Sequence, residues 1–457
     1  SACLSLQLNP LMTQGQIEAL ENHASDMIKD IYLPKLISGA WCGTMNLTEP
    51  QAGSDVGALS SKATDNGDGS YAITGQKIYI SWGDNDFSEN VCHLVLARLP
   101  DGKPGTKGIS LFIVPKFIPD QFGKAGVANK LKVISLEHKL GLHGSPTAVM
   151  QYDGATGWLI GEPHDGMRAM FTMMNNARLG VGGQGIGAAE GAYQHALTYA
   201  KTRKQGSTNV PKGIGTILDH ADVRRMLLTM KADIFAARSL ALETAVSIDL
   251  SNASSDGRWK SRAAFLTPIA KSFGTETGCR VAELGMQIHG GMGFIEESGA
   301  AQYYRDVRVT TIYEGTNGIQ AMDLVGRKLM DGGEAAYSLV DEIEKTVKSC
   351  PEDFSSMVGE VMLASKALRE AIKWMCSQKN INDRFSGAVP FLNAFARVLG
   401  GYFHLKSAIQ EEHVGPRTKL ARFYILNLLP EYIGLLQQAQ QGCEDLYSFS
   451  PNEMLEA

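Results

Sequence analysis

At 457 residues the chain exceeds what a single hydrophobic core holds, so two to four domains are expected. It is 44% hydrophobic and 20% charged, with a formal net charge of −5, which is ordinary for a soluble globular protein and gives no broad electrostatic reason to bind nucleic acid or an acidic membrane surface. There is no run of about 20 apolar residues to span a bilayer, and seven cysteines without a CxxC pair argue against a disulfide framework and for a reducing compartment.

The opening SACLSLQLNPLMTQGQIEAL has no basic segment ahead of an apolar stretch and does not read as a secretory signal. Residues 14–38 predict a helix and turn, with Ile17, Leu20, Ile28, Ile31 and Leu33 on an imperfect apolar face. From Trp41 to Asp153 short β-type runs follow (YAITGQKIYIS, VCHLVLARL, GISLFIVP, TAVMQY), separated by turn-formers at Asp65–Gly69 and Pro100–Gly102. They predict a small antiparallel sheet or barrel. After Gly166 the texture is helical, with Val223, Met226, Leu227, Met230 and Ile234 at helical spacing. Stretches 167–202, 219–250 and 258–288 predict bundle helices. Four more segments, near 335–348, 355–379, 390–411 and 416–440, follow breaks such as Asp331–Gly333 and Ser386–Gly387. The expected fold class is α+β: a helical remnant over 1–40, a middle β-barrel domain over 41–155, a helical bundle over 156–333 and an additional helical domain over 334–457.

Gly180–Gly185 (GVGGQG) formally matches a dinucleotide fingerprint, but that motif needs a strand before it within a βαβ unit. Both flanks here are helical in texture, so the glycines predict close helix packing. The ten histidines show no metal-ligand spacing; His138 and His143 fall in a loop, and no metal is expected. Met45–Asp55 (MNLTEPQAGSD) is a polar, turn-rich segment in which Thr48, Ser54 and Asp55 can bond local backbone. Lys77–Gly83 (KIYISWG) reads as an aromatic strand. Tyr304–Asn317 (YRDVRVTTIYEGTN) places Glu314 between Tyr313 and Gly315 after an apolar-leaning strand or turn; alone, such a glutamate is usually solvated.

Together these segments carry more. The chain resembles the acyl-CoA dehydrogenase family at MNLTEPQAGSD, GQKIYIS, ARLGVGGQGIG, QIHGGMGF and YRDVRVTTIYEGTNGIQ, in the family's order and at its spacing, over about residues 14–330. The resemblance implies a flavoprotein that oxidises a saturated acyl-CoA thioester to the trans-2-enoyl thioester. It makes Glu314 the base that removes the α-proton while the β-hydride leaves for FAD. A thioester α-C–H is a very weak acid, so the base must be held close and the carbonyl polarised.

By the same resemblance Met45, Leu47, Thr48, Gly53 and Ser54 line the flavin, with Ser54 also meeting the CoA arm. Tyr79 stands where the family often has Trp on the flavin ring, and Ser81 where it has Thr. Asn175 and Arg178 match an Asp-x-x-Arg that meets the CoA moiety. Arg203 and Gln205, with Gly206 replacing a usual Phe, and Gln287 to Gly291 match segments reaching the FAD of a neighbouring subunit. Thr316 matches another flavin contact, although Gly318 replaces a usual Glu or Gln. These assignments imply a homo-oligomer, and residues 336–457 resemble the extra domain of larger members that favour dimers.

Ser81–Phe117 together with this extension is similar to members acting on 3-methylthiopropionyl-CoA in dimethylsulfoniopropionate demethylation. Medium- or long-chain dehydrogenation and an oxygen-using acyl-CoA oxidase are the alternatives. A nucleic-acid-associated member is disfavoured by the intact YEG glutamate and the net charge of −5. Electron-transferring flavoprotein is the expected acceptor. The expected location is bacterial cytoplasm, or the mitochondrial matrix in a eukaryote. The family begins with a helical domain of substantial length where only about 40 residues precede the β domain here, so the chain is expected to be a fragment.

Overall fold

A computed structural model describes residues 3–208, 210–411 and 413–456. The chain divides into two compact units, residues 2–177 and 178–457.

The first unit opens with α1 (Leu4–His23) and α2 (Asp26–Ser38). Helix α1 starts ten residues ahead of the predicted segment, because Leu8, Leu11 and Met12 bury alongside Leu20. Helix α2 stops at Gly39, whose φ of 78° supplies the left-handed cap. The strands are β1 (Trp41–Asn46), β2 (Lys62–Asp65), β3 (Tyr71–Ser81), β4 (Asn90–Arg98), β5 (Ile109–Pro115), β6 (Phe117–Pro119), β7 (Ala125–Ala128), β8 (Leu131–Leu136) and β9 (Thr147–Ile160). Strands β4, β2, β3, β9 and β5 pair in sequence, and β5 pairs back with β4, so the sheet closes into the expected barrel. It is not wholly antiparallel: β1 and β2 both run parallel to β4. The barrel core includes Ile73, Ile80, Val95, Phe112, Val114, Met150 and Tyr152. Strand β5 is buried along its whole length, which is why ISLFIVP is apolar at every position but Ser110 rather than alternating. Between the pairs Lys77–Met150 and Ile80–Ala148, β3 carries one residue more than β9. This bulge re-aims Tyr79, at φ 60°.

The second unit takes in most of α3 (Gly166–Thr202) and continues with α4 (Ala221–Ala253) and α5 (Gly257–His289), close to the predicted stretches. The glycine reading holds. A Cβ on Gly182 would lie 2.9 Å from Ala270 O, and one on Gly185 would lie 2.3 Å from Gly274 O, so α3 and α5 meet backbone to backbone. Helix α6 (Ala300–Val307) and a 3-10 turn, Arg308–Thr311, lead to α7 (Asn317–Asp323). Of the strand or turn expected before Glu314, a 3-10 turn is what forms, preceded by a helix rather than by a strand. The additional domain comprises α8 (Glu334–Lys348), α9 (Ser355–Ser377), α10 (Ile381–Ser386), α11 (Ala388–Ala408), α12 (Pro416–Phe423) and α13 (Glu431–Ala439). Helix α11 packs against α4, α9, α12 and α13, and Phe391, Phe395 and Leu399 bury in a core shared with Phe265 of α5. Among the described residues no helix is long and apolar enough to cross a membrane.

Candidate active site

Glu314 sits in the turn between the Arg308–Thr311 3-10 segment and α7. Its φ is 53° and that of Gly315 is 80°, two consecutive left-handed residues. Such a conformation strains a glutamate and persists only where neighbours over-determine it. Those neighbours are visible. Lys271 Nζ donates to Gly315 O and to Asn317 Oδ1, both at 2.9 Å. Gln320 Nε2 donates to the carbonyls of Glu314 at 3.4 Å and Gly315 at 3.3 Å. Thr316 accepts from Ile319 N at 3.2 Å and caps α7. A Cβ at position 315 would fall 2.6 Å from Gln320 Nε2.

The carboxylate itself is left open to chemistry. Glu314 Oε2 is enclosed and has no hydrogen-bond partner among the described residues. Burial pushes its pKa up to about 7, against the opposing pull of the Arg178 and Lys271 charges. Arg178, on α3, is 6% exposed, and its Nη1 lies 3.9 Å from Asp323 Oδ2. Burial likewise lowers Lys271 to about 8. Tyr313 OH donates to Gln184 Oε1 beside the turn. A base must be unprotonated to work, so kcat/KM of the free enzyme is expected to rise with pH through about 7 and level off above it. A profile flat from pH 5.5 to 8.5 would show that Glu314 does not titrate in the reaction.

In the other unit, β1 and β3 assemble a second constellation. Lys77, wholly buried, donates to Leu47 O at 3.1 Å and to Glu49 Oε1 at 2.8 Å. Glu49 also accepts from the backbone and hydroxyls of Ser60 and Ser61 and from Gln51 Nε2. The Leu47–Ala52 turn thus hangs from Glu49, rather than from the Thr48, Ser54 and Asp55 side chains that the sequence suggested. Ile78 N donates to Thr48 O at 2.9 Å, which ties the segment after β1 to β3 just ahead of Tyr79. Tyr79 is 62% exposed; Gly53, Ser54 and Asn175 are exposed as well.

Arg203, Gln205, Gln287 and Gly291 are exposed at the ends of α3 and α5. Tyr199 stacks on His289 at 4.4 Å, which sets those two helix ends side by side. Next to them Met292, Phe294 and Ile295 are exposed, Phe294 at 84%. Sequence reasoning passed over Glu49, Lys271, Gln184 and Gln320. Lys271 had one faint signal, a lone lysine inside the apolar helical run TPIAKSF.

Residues 44–155 match the acyl-CoA dehydrogenase middle domain, residues 164–330 the acyl-CoA dehydrogenase C-terminal domain, and residues 339–450 the acetyl-CoA dehydrogenase C-terminal-like domain. The chain is 46% identical over 424 residues to the 3-methylmercaptopropionyl-CoA dehydrogenase of Ruegeria pomeroyi, covering 90% of this chain and 72% of the relative. It is 37% identical to a butyryl-CoA dehydrogenase of Syntrophomonas wolfei, covering 97% of this chain and 78% of the relative. The crystal structure of Caenorhabditis elegans ACDH-11 shares the fold, with a TM-score of 0.80 at 23% identity over 98% of this chain and 76% of that one. The chain belongs to the acyl-CoA dehydrogenase family, oxidoreductases that dehydrogenate acyl-CoA thioesters.

Proposed function

We propose that this chain binds FAD and uses Glu314 as the base that removes the α-proton of a short acyl-CoA, with 3-methylthiopropionyl-CoA as the preferred substrate. The observation that carries the reading is the Glu314 carboxylate, presented by a strained turn, enclosed, and poised by burial near neutral pH. The residues present suit a flat, hydrogen-bonding cofactor. The Tyr79 ring is exposed on a bulge, with the Ser81 hydroxyl two residues on and the Met45–Thr48 backbone alongside.

When bound, FAD supplies the hydride acceptor. Met45, Leu47, Thr48, Gly53, Ser54, Tyr79, Ser81 and Thr316 would hold it from one chain, and Arg203, Gln205, Gln287 and Gly291 from a second copy. The exposed Met292, Phe294 and Ile295 beside Gly291 suit burial against that copy, in a dimer. Ser54, Asn175 and Arg178 would meet the CoA moiety. Glu314 holds the α-proton after abstraction, and its enclosure keeps bulk water from returning it. The reading also takes the domains to be residues 41–155, 156–333 and 334–457 after a short helical start, with electron-transferring flavoprotein as acceptor.

Substrate choice rests on the 46%-identical relative; the butyryl-CoA relative favours a straight short chain as the second reading. A thioether sulfur fills about the volume of a methylene, and one methylene is worth only about 1–3 kcal/mol in an apolar pocket. Measured kcat/KM across a thioester series is therefore expected to peak at 3-methylthiopropionyl-CoA, with partial activity on butyryl- and pentanoyl-CoA. A maximum at palmitoyl-CoA would remove the substrate assignment and leave the dehydrogenation intact.

A further inference from the structure

Lys271 stands out among buried groups for which the family-wide reading supplies no role. Its residue is 0% exposed within α5. A lysine there gives up its hydration, a cost that must be offset by specific partners. Both of its acceptors belong to the turn that presents Glu314: the Gly315 carbonyl and the Asn317 side chain, each at 2.9 Å. Asn317 is itself fixed from three sides. Its Oδ1 also accepts from Thr275 Oγ1 at 3.3 Å, and its Nδ2 donates to Thr275 Oγ1 and Glu276 Oε1, both at 3.1 Å. Lys271 therefore clamps Gly315 and Asn317, the first and third residues after Glu314, at the point where the backbone is left-handed twice in succession.

We propose that Lys271 is the positioning residue of this site, holding the Glu314 turn in its strained form through Gly315 and Asn317 while lending the carboxylate a nearby positive charge. The proposal deepens the reading of Glu314 as the base and rests on it. The charge has company that must be counted. Around Glu314 stand Arg178 on α3, Lys271 on α5 and Tyr313 in the turn itself; Asp323 on α7 and Arg327 just after it face Arg178, while Glu276 on α5 faces Lys271 and is in turn faced by Arg397 on α11. Arg178 is shared with Asp323, whereas Lys271 spends its hydrogen bonds wholly on the turn. Losing the lysine leaves the burial that raises Glu314 in place and removes one of the two cations opposing it.

Two substitutions separate the clamp from the charge. Lys271→Met keeps the apolar stem and removes both; Lys271→Gln keeps an N–H donor for the turn and removes the charge alone. In FAD-loaded protein, Lys271→Met is expected to lower kcat about 100-fold, since a misplacement of roughly 1 Å costs that much. KM should change less than about threefold, and the acid limb of kcat/KM should move up by about one pH unit. Lys271→Gln should regain most of kcat yet keep the upward-moved limb. An unchanged limb in Lys271→Gln, or a loss confined to KM in either variant, overturns the proposal. Should Lys271→Met fail to fold, Lys271→Gln decides alone through its limb. The Glu314→Gln control keeps the two ideas apart: substantial activity there sinks the base assignment, whereas an inactive Glu314→Gln beside an unmoved limb in Lys271→Gln sinks only the role of Lys271.

Discussion

Glu314→Gln is expected to keep its fold and its FAD while losing turnover by about 10⁴-fold, because an amide cannot accept the α-proton and positioning alone remains. Stability should move the other way. In the folded protein Glu314 is raised to about 7 by burial, against about 4.3 in an unfolded chain. Between those values the folded state binds more protons than the unfolded one, so this group makes stability fall as pH rises through about 4.3 to 7. Glutamine removes that penalty, and at pH 8 the variant should be more stable by roughly 3–4 kcal/mol. Flavin absorbance, single-turnover kinetics and urea unfolding on the same preparation read all three effects. Turnover within tenfold of the parent would exclude Glu314 as the base.

The second large effect lies in the other unit. Lys77→Met is expected to cost about 3–5 kcal/mol, the penalty for stranding one partner of a buried ion pair, and to reduce FAD content by loosening the Leu47 carbonyl. The two partners report differently on the pair. Glu49 is pushed down to about 2, in the stabilising direction, although burial alone would raise it; Lys77 is also pushed down, to about 8, because burial outweighs what Glu49 returns. Lys77 is the more deeply enclosed of the two, and burial dominates the pair. The intact pair is then worth little in net terms, while breaking it is expensive.

The sign of the pH effect follows from both shifts. A depressed glutamate supports the fold above its unfolded value near 4.3 and withdraws that support as pH falls toward 2. A depressed lysine costs stability while charged, so stability rises from about 8 to 10.4. Urea unfolding across pH should show the acid limb flattened in Lys77→Met. A cost under about 1 kcal/mol at pH 7 would mean that the serine and glutamine bonds to Glu49 suffice on their own.

Much of the architecture was legible because long segments declare their period. The predicted 258–288 became Gly257–His289, and YAITGQKIYIS became β3 residue for residue. The misses have local causes. Val307, Val309, Thr310, Thr311 and Ile312 favour strand by intrinsic preference, yet α6 packs on α5 and tertiary contact overrides propensity. The first ten residues of α1 hide behind Pro10 and a weak apolar pattern. For the candidate site, resemblance pointed to Glu314 and to the positions proposed to face a flavin, and the residues that support Glu314 and Leu47 escaped. Glu49 lies in a motif that was noticed, but its partner comes 28 residues later. Lys271 lies 44 residues before the carbonyl it holds. Periodicity says which helix face a lysine shares and nothing about a partner so distant in sequence.

The glycine contact between α3 and α5 sets a fixed gauge beside the Glu314 turn. Gly182 and Gly185 meet Ala270, Gly274 and Gly278 through main-chain atoms, and this contact lies between Arg178 on one helix and Lys271 on the other. Two helices separated by side chains can slide when those side chains change rotamer; two that touch at the backbone have no such slack. The separation of the two helix backbones that carry Arg178 and Lys271 is thus written into the polypeptide itself, and changes of side chain elsewhere in the bundle can alter stability without moving those two helices apart.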